Sequence, residues 1–476
     1  KMAAIIAMQH YTQRPIVRRL HLQETMTQRK MIEQAIEKAS DTKALKIGPD
    51  AIAYTGTMFN ELFPGKRAII VADMNTWAAA GERVCAALSE QGISSEPPFI
   101  LEDSDLYAEW SYLEKVQARL ENTDAIAVAV GSGVINDLVK LASHRIGRRY
   151  IIVGTAASMD GYTAFGASIS KDGNKDTFEC KAPSGVIIEP EICAAAPKEM
   201  AASGYADLIA KVPAGADWML AEAVGADRID DFAFSLVQDP LRDSISDPQG
   251  IYNGETDPTG KLAEGLIMSG FAMQAAQSSR PASGLEHQFS HYWDMEGLCF
   301  NGKHVSHGFK VGIGTLLSTA CYEFLLPLDL GSIDIEACTG RWPDKEAMKK
   351  EIETVFAGKP GHLVRGMKEG LGKYISSDRL ASELSTIKEQ WPELREQLRK
   401  QIMSFDEVFE NLKMAGAPYT PEMIGLTNKD LKTTFRALPY MRNRYTIIDL
   451  IYRCGLMEKA EEALFGKDGR WSVTDE

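Results

Sequence analysis

The sequence predicts two successive domains, an α/β domain built on a parallel sheet and then an all-helical domain. Three observations predict this: short unbroken apolar runs early in the chain, a glycine turn directly after one of them, and helical apolar spacing without strand rhythm beyond about Pro197. At 476 residues the chain exceeds the usual length of one domain, and each part is long enough to bury a core. A composition of 45% hydrophobic and 25% charged residues excludes extended disorder.

The apolar runs are Ala68 to Ala72, Ala125 to Val130 and Tyr150 to Val153, with a further stretch from Gly185 to Ile188 that ends at Glu189-Pro190. The first three are bounded by Gly or Asp and separated by helix-like segments at 77–91, 105–120 and 134–143, the pattern of strands buried on both faces. Helical spacing then recurs at 259–277, 308–326, 343–356, 382–405 and 405–414, punctuated by Pro and Gly. The division expected is an extension at 1–44 carrying a surface helix at about 23–40, a dinucleotide-binding α/β domain at 45–198, and a helical metal- and substrate-binding domain at 199–476. The acidic, turn-rich stretch 239–258 reads as an exposed loop or insertion.

A formal net charge of −14 argues against a nucleic-acid partner, whose backbone demands clustered Lys and Arg, and favours a small molecule. Any anionic substrate then needs a local cationic device. The seven cysteines are widely spaced with no C-x-x-C pair, which fits reduced thiols in a cytoplasmic protein. Near the start, the apolar run from Met2 to Met8, followed by Arg14, Arg18 and Arg19, is too short for a membrane span and wrongly ordered for a secretory signal.

The second run leads straight into Gly131-Ser132-Gly133-Val134-Ile135-Asn136-Asp137 and a helix. Glycine lets the backbone approach a ligand closely, and free N–H groups at a helix start attract phosphate. A tight turn with no ligand gives the same pattern, and Asn136 stands where a full G-x-G-x-x-G would have its third glycine. Asp73, just past the first run, suits either a ribose ligand or a helix cap. The third run ends in the polar loop Gly154 to Tyr162, so three strands aim polar loops at one sheet edge, where a cofactor would sit.

Four of the eight histidines, His287, His291, His304 and His307, fall close together. His287 and His291 are spaced i, i+4 and share a helix face, while His307 opens an apolar helix, so two helices could each offer an imidazole to one ion. A catalytic divalent site uses three protein ligands and keeps a position open. The missing carboxylate is best supplied by Asp207, an acid in an otherwise apolar stretch, whose other reading is a helix-terminal charge. For His304, a surface or capping role stays open.

Taken together, the segments Gly131 to Asp137, Thr155 to Tyr162, Tyr205 to Lys211 with Asp217-Trp218, and Ser279 to His291 resemble the bacterial AraM-like glycerol-1-phosphate dehydrogenases, of the dehydroquinate synthase-like superfamily. The likeness spans about residues 45 to 340 in unbroken motif order. It implies a divalent metal (zinc, nickel or iron) on Asp207, His287 and His307, and NAD or NADP on Gly131, Ser132, Gly133, Val134, Ile135, Thr155, Ala156, Ala157 and Ser158, with its ribose on Asp73. Asp160, Asp207 and His291 would face a small phosphorylated polyol, with His291 relaying a proton and Lys211 or Lys310 available to the phosphate. A homodimer and a place in phospholipid metabolism are further implications. The family usually has Gly where Ala206 stands, and often Ser where Ala164 stands. The expected reaction is hydride transfer between sn-glycerol 1-phosphate and dihydroxyacetone phosphate; the competing readings are another polyol substrate, a cyclisation with bound NAD, and a dinucleotide sensor without catalysis.

Overall fold

The computed structural model describes residues 28–103, 106–171 and 174–473. Calls on the first 27 residues lie outside them; the surface helix begins within its expected segment, at Gln28–Lys38. Six parallel strands form the main sheet: β1 (Ala44–Ile47), β2 (Ala68–Asp73), β3 (Phe99–Leu101), β4 (Ile126–Gly131), β5 (Tyr150–Gly154) and, after the antiparallel hairpin β6 (Ala167–Lys171) and β7 (Asn174–Phe178), β8 (Gly185–Ile188). Their spatial order is β1-β8-β5-β4-β2-β3.

The four apolar runs became β2, β4, β5 and β8, buried throughout except at Asp73. Alternate side chains serve opposite faces, as strand geometry requires. Ile69 and Val71 join Leu113, Val116 and Leu138 of the Trp110–Glu121 and Gly133–Arg145 helices, while Ala68 and Ile70 join Phe59, Val84 and Leu88 of the Thr55–Leu62 and Glu82–Glu90 helices. The sequence reading missed β1 and β3, the two edge strands. An edge strand is covered less completely, so β1 is only partly buried and carries no continuous apolar run.

Beyond residue 190 the described chain is helical, apart from a hairpin of two-residue strands, β9 (Cys299–Phe300) and β10 (Lys303–His304). The expectation of a loop at 239–258 is corrected. The Asp231–Ser244 helix runs through Pro240, and Pro248–Asn253 forms a second helix whose Asp247 cap accepts from Gly250 N at 2.8 Å, with Pro248 in the first turn and Gly254 left-handed (φ 73°) behind it. Acid, Pro and Gly were here helix punctuation, not loop composition. No described helix is long and apolar enough to cross a membrane.

The helices that matter for the site are Lys198–Ile209, Leu285–Met295 and His307–Leu325, which touch main chain to main chain. A Cβ on Gly308 would overlap the Ser203 carbonyl, and one on Gly314 would overlap that of Glu286. A Cβ on Gly204 would overlap the carbonyl of Ala157, so the same cluster is pressed against the loop that leaves β5.

Candidate metal and cofactor site

From β2 the chain passes to β3 on one side and then returns to β4 on the other, so the strand order reverses between β2 and β4. Ligands of open α/β sheets bind at such a switch point, beyond the carboxyl ends of the strands. Asp73 ends β2 and Gly131 ends β4, which puts both beside it. Ser132 precedes the Gly133–Arg145 helix without a side-chain cap, and Ser132, Gly133 and Val134 are partly exposed, as a phosphate-binding helix start requires. Asp73 takes its alternative reading as well: Oδ1 accepts from Thr76 N at 2.8 Å in a reciprocal capping box.

The loop from β5 carries Thr155, Ala156, Ala157 and Ser158, all buried, from the sheet edge to the helical part. Met159 packs over Gly133, where an added Cβ would sit 3.1 Å from its Cε. At the end of the loop Asp160 N donates to Asp207 Oδ2 at 3.0 Å, and Asp160 Oδ2 accepts from Ser269 Oγ at 2.9 Å and pairs with Lys211 Nζ at 2.9 Å. The cofactor edge and the helical cluster are therefore joined by direct bonds.

Asp207, His287 and His307 converge, with one ligand atom from each lying within 4.8 Å of the others. Their positions follow from local structure. Ser306 caps the His307–Leu325 helix through Phe309 N at 3.3 Å and sets His307 in its first turn. Buried Asp217 accepts from Leu285 N at 2.8 Å, fixing the start of the helix that carries His287. Glu286, which sequence reasoning missed, bonds His287 Nδ1 at 2.8 Å and leaves Nε2 facing Asp207 Oδ1, 3.8 Å away.

The electrostatics suit a cation. Burial would raise the pKa of Asp207, but Lys211 and His307 outweigh it and hold the group below its ordinary value, ionised. Burial, reinforced by Lys211 and His307, keeps His287 well below its ordinary value and thus neutral, with a lone pair to give. Burial also pushes Glu286 up to about 7. Lys211 Nζ lies 2.6 Å from Asp207 Oδ1, yet a carboxylate has roughly four acceptor sites, so this bond and the one from Asp160 leave it able to ligate. One carboxylate and two imidazoles, oriented by a carboxylate behind one of them, fit a divalent transition metal.

The remaining histidines separate. His304 lies in the β10 strand, exposed, stacked on Tyr107 with ring centroids 4.3 Å apart. His291, one helical turn beyond His287 on the same helix, meets the C-terminal part of the chain, where its Nε2 stands 3.2 Å from Arg442 Nη1. Burial and then the charge of Arg442 keep its imidazole well below the ordinary range. Both lysines considered for phosphate are already committed, Lys211 to Asp160 and Asp207, and Lys310 to Asp294 at 2.6 Å and to the Val305 carbonyl at 2.9 Å. Ala206 is buried under Gly312 in the packing between helices, and Ala164 packs with Met273 and Ala282.

Residues 46–197 match the family described as iron-containing alcohol dehydrogenase. Over 283 residues, 59% of this chain and 70% of the relative, the sequence is 34% identical to a glycerol-1-phosphate dehydrogenase (NAD(P)+) of Halalkalibacterium halodurans. With the enzyme of the same name from Geobacillus thermodenitrificans the identity is 26% over 396 residues, 83% of this chain and 88% of the relative. Among solved structures, glycerol dehydrogenase from Schizosaccharomyces pombe shares the fold, with a TM-score of 0.57 at 16% identity, covering 92% of this chain and 94% of that one. An iron-containing alcohol dehydrogenase from Thermotoga maritima does so with a TM-score of 0.52 at 13% identity, over 87% of this chain and 97% of the other. The chain belongs to the glycerol-1-phosphate dehydrogenase family.

Proposed function

We propose that this protein is a metal-dependent, NAD(P)-linked dehydrogenase that interconverts sn-glycerol 1-phosphate and dihydroxyacetone phosphate by hydride transfer. The observation that carries the reading is the convergence of Asp207, His287 and His307 at the end of the loop that leaves the cofactor edge of the sheet. Relatives bearing that activity in their names support the substrate. A divalent ion held by the three ligands supplies Lewis acidity toward the substrate oxygens; zinc, nickel and iron all suit this donor set.

The chain's own residues do the rest. Gly131 to Ile135 bring uncapped N–H groups to the dinucleotide pyrophosphate, while Thr155 to Ser158 line the path from that turn to the reacting carbon. Asp73, at the switch point, would repel a 2′-phosphate and favours NAD over NADP. Asp160 and Lys211 fix Asp207 and exclude water behind it. His291, neutral and on the same helix as His287, is the residue proposed to accept or return the hydroxyl proton.

The proposal includes a division of labour in which 45–198 binds the dinucleotide and 199–476 holds metal and substrate. A homodimer is proposed on family likeness, and a cytoplasmic location on seven free thiols, which suit a reducing compartment. The test is a spectrophotometric assay of dihydroxyacetone phosphate with NADH, with and without chelator, on wild type and His287→Ala. Oxidation of NADH that both chelator and substitution abolish is expected. Absence of NADH consumption by metal-loaded wild type would sink the reading and leave a cyclase, which regenerates its cofactor, or a binder.

A further inference from the structure

Between the Asn428–Met441 and Ile447–Arg453 helices, the chain returns to the metal helices and inserts Arg442 and Arg444, both partly buried. Arg442 donates to Ser279 Oγ at 3.0 Å and to Ser283 Oγ at 3.4 Å, besides facing His291. Arg444 donates to the same Ser279 Oγ at 3.0 Å and to the Ser283 carbonyl at 2.8 Å. Two guanidinium groups thus converge on one hydroxyl, and one of them also faces His291, one helical turn beyond His287.

No carboxylate pairs with either arginine among the described residues; every partner above is neutral. Among the described residues, Arg280, fully buried beside them, has no hydrogen-bond partner for Nη1, and its one ion pair runs through Nε to Asp227 at 3.2 Å. Burial, and then the charge of Arg365, pulls Arg442 down to about 10; burial and then Arg442 pull Arg444 well down too. Glu369 and Glu286 act on Arg442, and Asp227 and Glu286 on Arg444, without forming an ion pair, and desolvated positive charge without a directly bonded counter-ion is costly.

We propose that Arg442 and Arg444, with Ser279, form the clamp for the phosphate group of the substrate. This deepens the reading above and rests on it for the identity of the substrate. Paired guanidiniums match phosphate oxygens bidentately. In glycerol 1-phosphate only C1 and the ester oxygen separate the reacting C2 from phosphorus, so a phosphate site must lie close to the metal ligands, and Arg442 faces His291 on the helix that carries His287. The clamp selects phosphorylated polyols over free ones.

The test uses calorimetric titration of full-length protein with sn-glycerol 1-phosphate and with inorganic phosphate, plus KM for dihydroxyacetone phosphate, on wild type, Arg442→Gln, Arg444→Gln and Arg442→Lys. Each Gln variant is expected to weaken both ligands about 100-fold, and Arg442→Lys, which keeps charge but loses the fork, about tenfold. Metal content should stay unchanged. Should the Gln variants fail to fold, the Lys variant decides. Wild-type affinity in a folded variant, or no phosphate binding by wild type, overturns the clamp. Phosphate binding that depends on these arginines without turnover of dihydroxyacetone phosphate would instead remove the reaction and leave the clamp standing.

Discussion

Asp160 and Asp207 meet although one ends a sheet loop and the other lies inside a helix: the Asp160 amide donates to Asp207 Oδ2 at 3.0 Å, and Lys211 Nζ bridges both side chains at 2.9 and 2.6 Å. The first prediction follows from that bridge. Lys211→Met leaves two neighbouring buried carboxylates without their cation and should destabilise the metal-free protein by about 3–5 kcal/mol in denaturant titrations. A loss below about 1 kcal/mol would show that water or rearrangement replaces the lysine.

Glu286 orients His287 by a 2.8 Å bond to Nδ1. Removing such a partner typically costs roughly 10–100-fold in metal affinity, so Glu286→Ala should bind zinc or nickel that much more weakly in competition with a chelator. His307→Ala, which deletes a proposed ligand, should purify with far less metal than wild type; wild-type metal content in that variant would contradict the assignment.

Gly204 lies under the Ala157 carbonyl with no room for a Cβ. Gly204→Ala must push the Lys198–Ile209 helix off the loop, which should cost about 1–3 kcal/mol in unfolding free energy and weaken NADH binding by fluorescence titration. Unchanged NADH affinity would separate that loop from the cofactor.

His362 is buried against Tyr292, ring centroids 4.7 Å apart, and burial holds it below the ordinary 6.5. The unfolded chain binds this proton more readily than the folded one. The stability His362 contributes is thus complete above pH 6.5 and is lost as pH falls through the lowered value. His362→Gln should flatten the fall in unfolding midpoint across that acidic window, by at most about 1.4 kcal/mol per pH unit. An unaltered slope would mean that the ring already takes up its proton in the native state.

The central strands were legible because burial on both faces leaves β2, β4 and β5 apolar, apart from Asp73 at the end of β2 and the Tyr150 hydroxyl. Edge strand β1 is interrupted by exposed Lys46 and β3 is an apolar run of only three residues, and the Asp, Pro and Gly of 239–258 marked helix ends as well as they would mark a loop. In the site, residue type and spacing pointed to Asp207, His287 and His307 because few side chains ligate metals, and these three do converge. Arg442 and Arg444 could not. Nothing local distinguishes them from surface arginines; only the return of the C-terminal segment to Ser279 and Ser283 does.

The glycine contacts among the three ligand-bearing helices carry one more consequence. Where peptide rests on peptide, as at Gly308 on Ser203 and Gly314 on Glu286, no intervening rotamer can be reset to widen or narrow the gap. For the ion proposed to lie among them, such a frame is a fixed gauge: the backbone has no slack with which to accommodate a poor fit, so selection among metals is expected to fall to supply and size.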